Sequence, residues 1–176
     1  TTASADEVQD ANKLFKQGQL AQAQEKVDAF LVQKPKDAPA RFLKGLIKAE
    51  QGNTDESSRL FSALTDDYPE LPEPYNILAV LYAGQGQYEK AKVALEKAIR
   101  THPSYSTAHE NLGDIYAKMA SLAYDKALAL DPAFSPAWRN RYTASSLRLP
   151  PSGVTSQVRL RSSSRRRLRS ITTGTL

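Results

Sequence analysis

Few side chains in this 176-residue sequence could do chemistry, and they form no constellation. The histidines His102 and His109 could bind a metal or transfer protons. The acid nearest His109 is Glu110, its immediate neighbour, which would point elsewhere from a helix. The chain has no cysteine, which excludes disulfides, thiolate zinc sites and cysteine nucleophiles. We therefore predict no catalytic residue, no metal site and no cofactor, and do not expect an enzyme.

Two other patterns could bind phosphate. Gly84-Gln85-Gly86 has neither the preceding strand nor the lysine of a phosphate-binding loop. The second pattern is a change in charge: 15 basic and 19 acidic residues precede position 132, whereas 9 arginines and no lysine or acid follow. This basic end could contact nucleic acid or an anionic surface. The alternatives are a solvated tail without a partner, and a sequence that is not native and comes from a shifted reading frame.

The elements that carry these residues repeat with a period of 34. Between the recurring glycines and prolines, apolar residues follow the three-and-four spacing of helices. Each repeat is thus predicted to be two helices joined at a glycine turn, and proline ends the second helix because it has no N–H to donate. Three series keep the period: Gly18, Gly52 and Gly86; Pro35, Pro69 and Pro103; and Ala11, Gly45, Ala79 and Gly113.

The third series indicates where paired helices approach closely. Small residues on the first helices are expected to meet small residues on the second, because larger ones would push the backbones apart. The expected partners are Ala23, Ser57 and Ala91, and larger side chains at Val27, Phe61 and Leu95 are expected to fill the gaps between them.

The fourth repeat is short. Pro103 and Pro132 are 29 residues apart, and the five missing residues would have carried the glycine turn. Either one helix of about 24 residues runs from Thr107 to Leu130, or a strained turn survives near Lys118; helix propensity favours the single helix. Its start carries a capping-box pattern, Thr107-x-x-Glu110.

The third repeat identifies a family. It resembles the tetratricopeptide repeat, a 34-residue helix–turn–helix unit, over about Ser4 to Asp131. The resemblance implies an all-α fold, a right-handed α-solenoid whose last repeat is shortened to a single long helix. The residues that carry it are Tyr75, Leu78, Ala79, Tyr82, Gly86, Tyr88, Ala91, Leu95, Ala98 and Pro103.

The period and the resemblance together divide the chain. Trp138 lies at the family's tryptophan position, which predicts the start of one more helix, and the sequence from residue 148 has no periodicity. The predicted divisions are a leader at 1–3, repeats at 4–37, 38–71 and 72–105, a truncated repeat at 106–132, a partial capping helix at 133–147, and a basic disordered tail at 148–176.

The resemblance also implies a binding surface. In this family the first helices line a concave groove that can hold an extended peptide or a helix of a partner protein. We expect a non-catalytic interaction scaffold, with Phe15 and Phe42 as exposed apolar contacts. Of the positions that clamp a C-terminal carboxylate in co-chaperones, only Asn12 fits. The predicted lining is Val8, Asn12, Phe15, Lys16, Phe42, Leu46, Ala49, Glu50, Asn76, Val80, Ala83, Glu110, Asp114 and Lys118.

Other expectations concern context. The sequence starts with small residues and no methionine, so we expect a segment upstream to have been removed. Either a signal peptidase removed it, as in exported bacterial proteins, or the stretch was cut from a longer gene for expression. A periplasmic or cell-envelope location is expected, with a cytoplasmic one as the alternative. No apolar run approaches the roughly 18 residues of a membrane span. An accessory domain of a larger cell-envelope enzyme or assembly, and a homo-oligomer, stay open.

Overall fold

The computed structural model describes residues 2–131, with side chains from Glu7 onward. Within this range the chain is all α-helical, as predicted. The proposed capping helix at 133–147 and the basic tail at 148–176 lie outside the described residues. The helices are α1 (Thr2–Lys16), α2 (Leu20–Gln33), α3 (Ala38–Glu50), α4 (Thr54–Asp67), α5 (Pro72–Gly84), α6 (Tyr88–Thr101) and α7 (Ser106–Leu130).

The helices start at the same 34-residue interval that the sequence shows. The helices α3, α5 and α7 begin 34 residues apart, and so do α2, α4 and α6. Proline helps to start α3 and α5, because its fixed φ suits the first turn and its missing N–H is not needed there. At α3 the Asp37 side chain also accepts a hydrogen bond of 2.9 Å from the Ala40 N–H.

The turn glycines adopt the left-handed conformation that closes a helix. Gly18, Gly52 and Gly86 have φ of 79°, 83° and 76°. The following residue then donates back into the last helical turn, as Gln87 N–H does to the Tyr82 carbonyl at 2.9 Å. This is the Schellman arrangement, in which glycine avoids the steric cost of a Cβ.

The core runs between successive helices. Each helix packs on the next, and α1 also contacts α3 as α5 contacts α7. The small residues of the first three repeats, Ala11, Gly45 and Ala79, are buried, as the predicted close approaches require. Their expected partners and fillers are also buried, namely Ala23, Ser57, Ala91, Val27, Phe61 and Leu95.

The fourth repeat is one helix, and the strained-turn alternative is wrong. Helix α7 continues for 25 residues from Ser106 to Leu130 without a break. The capping-box expectation is also wrong: the residue at the N-cap is Tyr105, whose side chain makes no cap hydrogen bond, and Thr107 already lies within the helix. At the other end of the chain α1 begins at Thr2, within the residues assigned to a leader.

Candidate functional site

The predicted groove residues lie on the first helix of each repeat, on α1, α3, α5 and α7. Their exposure divides them into three groups. Lys16, Glu110 and Asp114 are exposed, whereas Phe15, Leu46, Asn76 and Ala83 are buried. The others are half-buried and can contact a partner without leaving their helix: Val8, Asn12, Phe42, Ala49, Glu50, Val80 and Lys118.

The expectation that Phe15 is an exposed contact is wrong. Phe15 is 4% exposed and Leu46 is 0% exposed, and both belong to the continuous core. Stacking of the repeats closes over these positions, because the face they occupy is needed to pack neighbouring helices. Phe42 is half-buried: its ring packs edge-on against Phe61, with centroids 5.3 Å apart. Phe42 therefore contributes to packing and only part of its surface is free.

Asn76 is also too buried to contact a partner directly, at 0% exposure. Its Oδ1 accepts a hydrogen bond of 2.7 Å from Asn111 Nδ2, which joins α5 to α7. Sequence reasoning missed Asn111. The 34-residue period gave no signal for it, because the residue one period after Asn76 is Glu110, and Asn111 takes the repeat position that the apolar Ile77 holds in the third repeat.

Three sheltered polar atoms at the predicted positions lack partners. Among the described residues, no hydrogen-bond partner lies near Asn12 Oδ1, Glu50 Oε1 or Asn76 Nδ2. Sheltered polar atoms in folded proteins are nearly always hydrogen-bonded, so each exception needs an explanation. Asn76 is fully buried, whereas Asn12 and Glu50 are half-buried. Their two unpartnered oxygens are acceptors, which the N–H groups of an extended polypeptide backbone complement.

The groups best suited to acid–base chemistry have structural surroundings. His109 Nε2 lies 2.9 Å from the Pro103 carbonyl at the start of α7. Burial, and then the nearby Glu73 carboxylate, raise the pKa of Tyr105 to about 12, so its phenol stays protonated near neutral pH. Within residues 2–131, no three metal-binding side chains cluster, and no helix there has the length and apolar character to cross a bilayer.

A surface depression of about 380 Å³ lies elsewhere, between α4, α5 and α6. Its apolar wall includes Leu78 and Val93. Lysines lie over two of its aromatic rings: Lys97 Nζ is 5.8 Å from the Tyr75 centroid and Lys90 Nζ is 5.7 Å from that of Tyr82. None of the predicted groove residues lines it, so it is a competing surface for a partner.

Comparison with known proteins decides the family. A tetratricopeptide-repeat family model matches residues 9–72, and a second model of the same repeat matches residues 81–119. Together they cover more than half of the chain. The repeats are tetratricopeptide repeats. The solenoid of paired helices is therefore the fold that this repeat builds, and its proteins generally mediate protein–protein interactions.

Relatives share the repeat over part of their length. The chain is 35% identical over 71 residues to the chloroplastic tetratricopeptide repeat domain-containing protein PYG7 of Arabidopsis thaliana, covering 38% of this chain and 24% of that protein. Among solved structures it resembles YrrB, described as a tetratricopeptide protein with an unusual peptide-binding site, at 27% identity and a TM-score of 0.56. That match covers 61% of this chain and 55% of YrrB.

A third match shows the fold alone. The type III secretion chaperone SycD of Yersinia enterocolitica, solved with a peptide of the translocator YopD, superposes with a TM-score of 0.62 at 15% identity. The match covers 68% of this chain and 96% of SycD. The chain thus spans a quarter of the plant relative, about half of YrrB and nearly all of the chaperone.

Proposed function

We propose that this tetratricopeptide solenoid is a non-catalytic scaffold that binds an extended peptide of a partner protein along the first helices. The observation that carries the proposal is the pair of unpartnered acceptor atoms on the half-buried side chains of Asn12 on α1 and Glu50 on α3. A peptide backbone laid across these helices would supply an N–H to each of the two acceptors.

The apolar content of the same face supports a polypeptide ligand over a small polar one. Val8, Phe42 and Val80 are half-buried and leave apolar surface between the polar atoms. Alternating apolar and polar contacts suit the alternating side chains of an extended strand. The likeness to YrrB, which has a peptide-binding site, supports this class of ligand.

A matched pair of valines tests the location. The probe is a peptide selected from a phage-displayed library of random 12-residue peptides, synthesised and titrated by calorimetry. Val80→Arg places a long side chain on α5 in the proposed groove, whereas Val93→Arg places the same side chain on α6 beside the depression between α4, α5 and α6. We expect Val80→Arg to weaken binding at least tenfold and Val93→Arg to leave it unchanged. The reverse pattern would assign binding to the depression.

Asn12 offers a second test, because its role predicts opposite effects on stability and binding. An acceptor that is sheltered without a partner costs about 1–3 kcal/mol. Asn12→Leu is therefore expected to leave the free energy of unfolding unchanged or to raise it, measured in urea, while it weakens binding of the selected peptide about tenfold. Loss of stability with unchanged affinity would make Asn12 a packing residue and contradict the proposal.

A further inference from the structure

In a complete repeat, a second helix covers one face of the first helix. In the shortened fourth repeat, the corresponding face of α7 is exposed. Ala11, Gly45 and Ala79 are buried, whereas Gly113, at the same position of the fourth repeat, is exposed. Among the described residues no atom lies within 4 Å of a Cβ placed on Gly113. One turn later Tyr116 is 48% exposed. These two residues form the uncovered first-helix face of repeat four.

The second repeat shows what this face normally contacts. A Cβ placed on Gly45 would lie 2.7 Å from Phe61 Cζ of the following helix. Ser57 Oγ, also on that helix, donates a hydrogen bond of 2.9 Å to the Gly45 carbonyl. The glycine position is therefore a contact point for two residues of the second helix, which precede the closing proline by 12 and 8 residues.

The second half of α7 carries the residues of such a second helix. Counted back from Pro132, Ala120, Tyr124 and Ala127 occupy the places that Ala91, Leu95 and Ala98 occupy before Pro103. In the third repeat those three residues are fully buried against α5 and its neighbours. In the fourth repeat Ala120, Tyr124 and Ala127 are only half-buried.

A straight helix keeps these two faces apart within one molecule. Ala120 lies seven residues after Gly113, about 10 Å along the axis, and cannot fold back onto it. Because the five turn residues are missing, both faces lie on the same side of one helix. At 100° per residue, the positions within about 60° of Gly113 include Tyr116, Ala120, Tyr124 and Ala127. They form one continuous stripe along α7, which we call the α7 stripe.

We propose that two copies of this chain pair through the α7 stripe, with their α7 helices antiparallel. Each copy's second half then occupies the place of the missing second helix on the other copy. Ala120 of one copy lies on Gly113 of the other, as Ser57 lies on Gly45, and the twofold axis passes between Tyr116 and Ala117. A second copy is the occupant because it supplies both complementary faces at once, in a closed isologous interface.

Matched alanine variants of the full chain test the pairing by sedimentation equilibrium. The wild type is expected at twice the 19.4 kDa mass of one chain. Ala127→Glu places a charge on the α7 stripe and is expected to raise the dimer dissociation constant at least tenfold. Ala129→Glu places the same charge about 160° around the helix and is expected to leave it unchanged. Circular dichroism should show equal helical content in all three proteins.

Restoring the turn tests the cause of pairing. The pentapeptide Gly-Gln-Gly-Gln-Tyr, which is the sequence of residues 84–88, is inserted between Ala117 and Lys118 to recover the 34-residue period. The second half of the repeat can then fold onto its own first helix, and we expect a monomer with unchanged helical content. An insertion variant that is still a dimer would show that the missing turn is not the cause and would overturn the proposal.

Cross-linking tests the register. Because the chain has no cysteine, Gly113→Cys and Ala120→Cys copies can be mixed and oxidised, and we expect a disulfide-linked dimer from the mixture. Antiparallel pairing through the stripe is refuted if no mixed disulfide forms. A wild type that is monomeric at several hundred micromolar also refutes it. If removal of residues 132–176 then yields a dimer, the chain's own end occupies the α7 stripe in the intact protein, and the proposal is still refuted.

Discussion

At the scale of single residues, two neighbouring glycines have different backbone requirements. Gly84 is the last residue of α5 and is helical, and no described atom lies within 4 Å of a Cβ placed there. Gly86 has the positive φ of 76° that closes the helix. The 34-residue spacing predicts Gly86 as the turn glycine, but it does not predict the positive φ of Gly86 or the helical conformation of Gly84.

The pair supports a prediction of opposite sign. Gly84→Ala should raise the free energy of unfolding by about 0.5–1 kcal/mol, because alanine restricts the unfolded chain and suits a helix. Gly86→Ala should lower it by about 1–2 kcal/mol, because a Cβ is strained at positive φ. Urea unfolding followed by circular dichroism measures both. Equal shifts for the two variants would contradict the assigned turn conformation.

At the scale of helices, the contact between α3 and α4 predicts how a larger residue in the small-residue series changes stability. Gly45→Ala puts a Cβ 2.7 Å from Phe61 Cζ, and the Phe61 ring is fully buried and held by Phe42. We expect a loss of about 1–3 kcal/mol in the free energy of unfolding from overpacking. Gly113→Ala, at the same repeat position but in open space within one molecule, should be neutral or stabilising by up to about 1 kcal/mol when unfolding is measured below the dimer dissociation constant. Under those conditions a destabilising Gly113→Ala would mean that α7 is covered there within the same molecule.

Which helices form and where the small residues are buried could be predicted from the sequence, but the exposure of the groove residues could not. The period and the prolines locate every helix pair, and the 29-residue gap between Pro103 and Pro132 predicts α7. Exposure of Phe15 was predicted wrongly, because a helical pattern shows which residues share a face and not how closely the next repeat covers it. Lys48 is a charged residue at a position where later repeats have tyrosine. The structure accommodates it through an ion pair of 3.2 Å to Glu56, on another helix.

At the scale of the whole molecule, α7 takes part in both proposals. It is the last described helix of the proposed groove, to which Glu110, Asp114 and Lys118 are assigned, and it carries the α7 stripe. Asp114 and Lys118 lie about 100° and 140° around α7 from Gly113, away from the α7 stripe, whereas Glu110 lies about 60° from Gly113, at the edge of the stripe. The periplasmic location expected from the sequence stays a prediction, because it concerns the cellular context and not the fold.

The continuity of α7 is the claim on which the extent of the groove and the α7 stripe both depend. Because the chain has no native cysteine, Ser106→Cys and Ala129→Cys can carry a pair of spin labels. The doubly labelled protein is diluted into excess unlabelled protein, so that electron–electron resonance reports distances within one chain. A single helix predicts a separation of about 35 Å between these positions. A separation of about 10 Å, the spacing of two packed helices, would show that the fourth repeat folds back and would contradict the account.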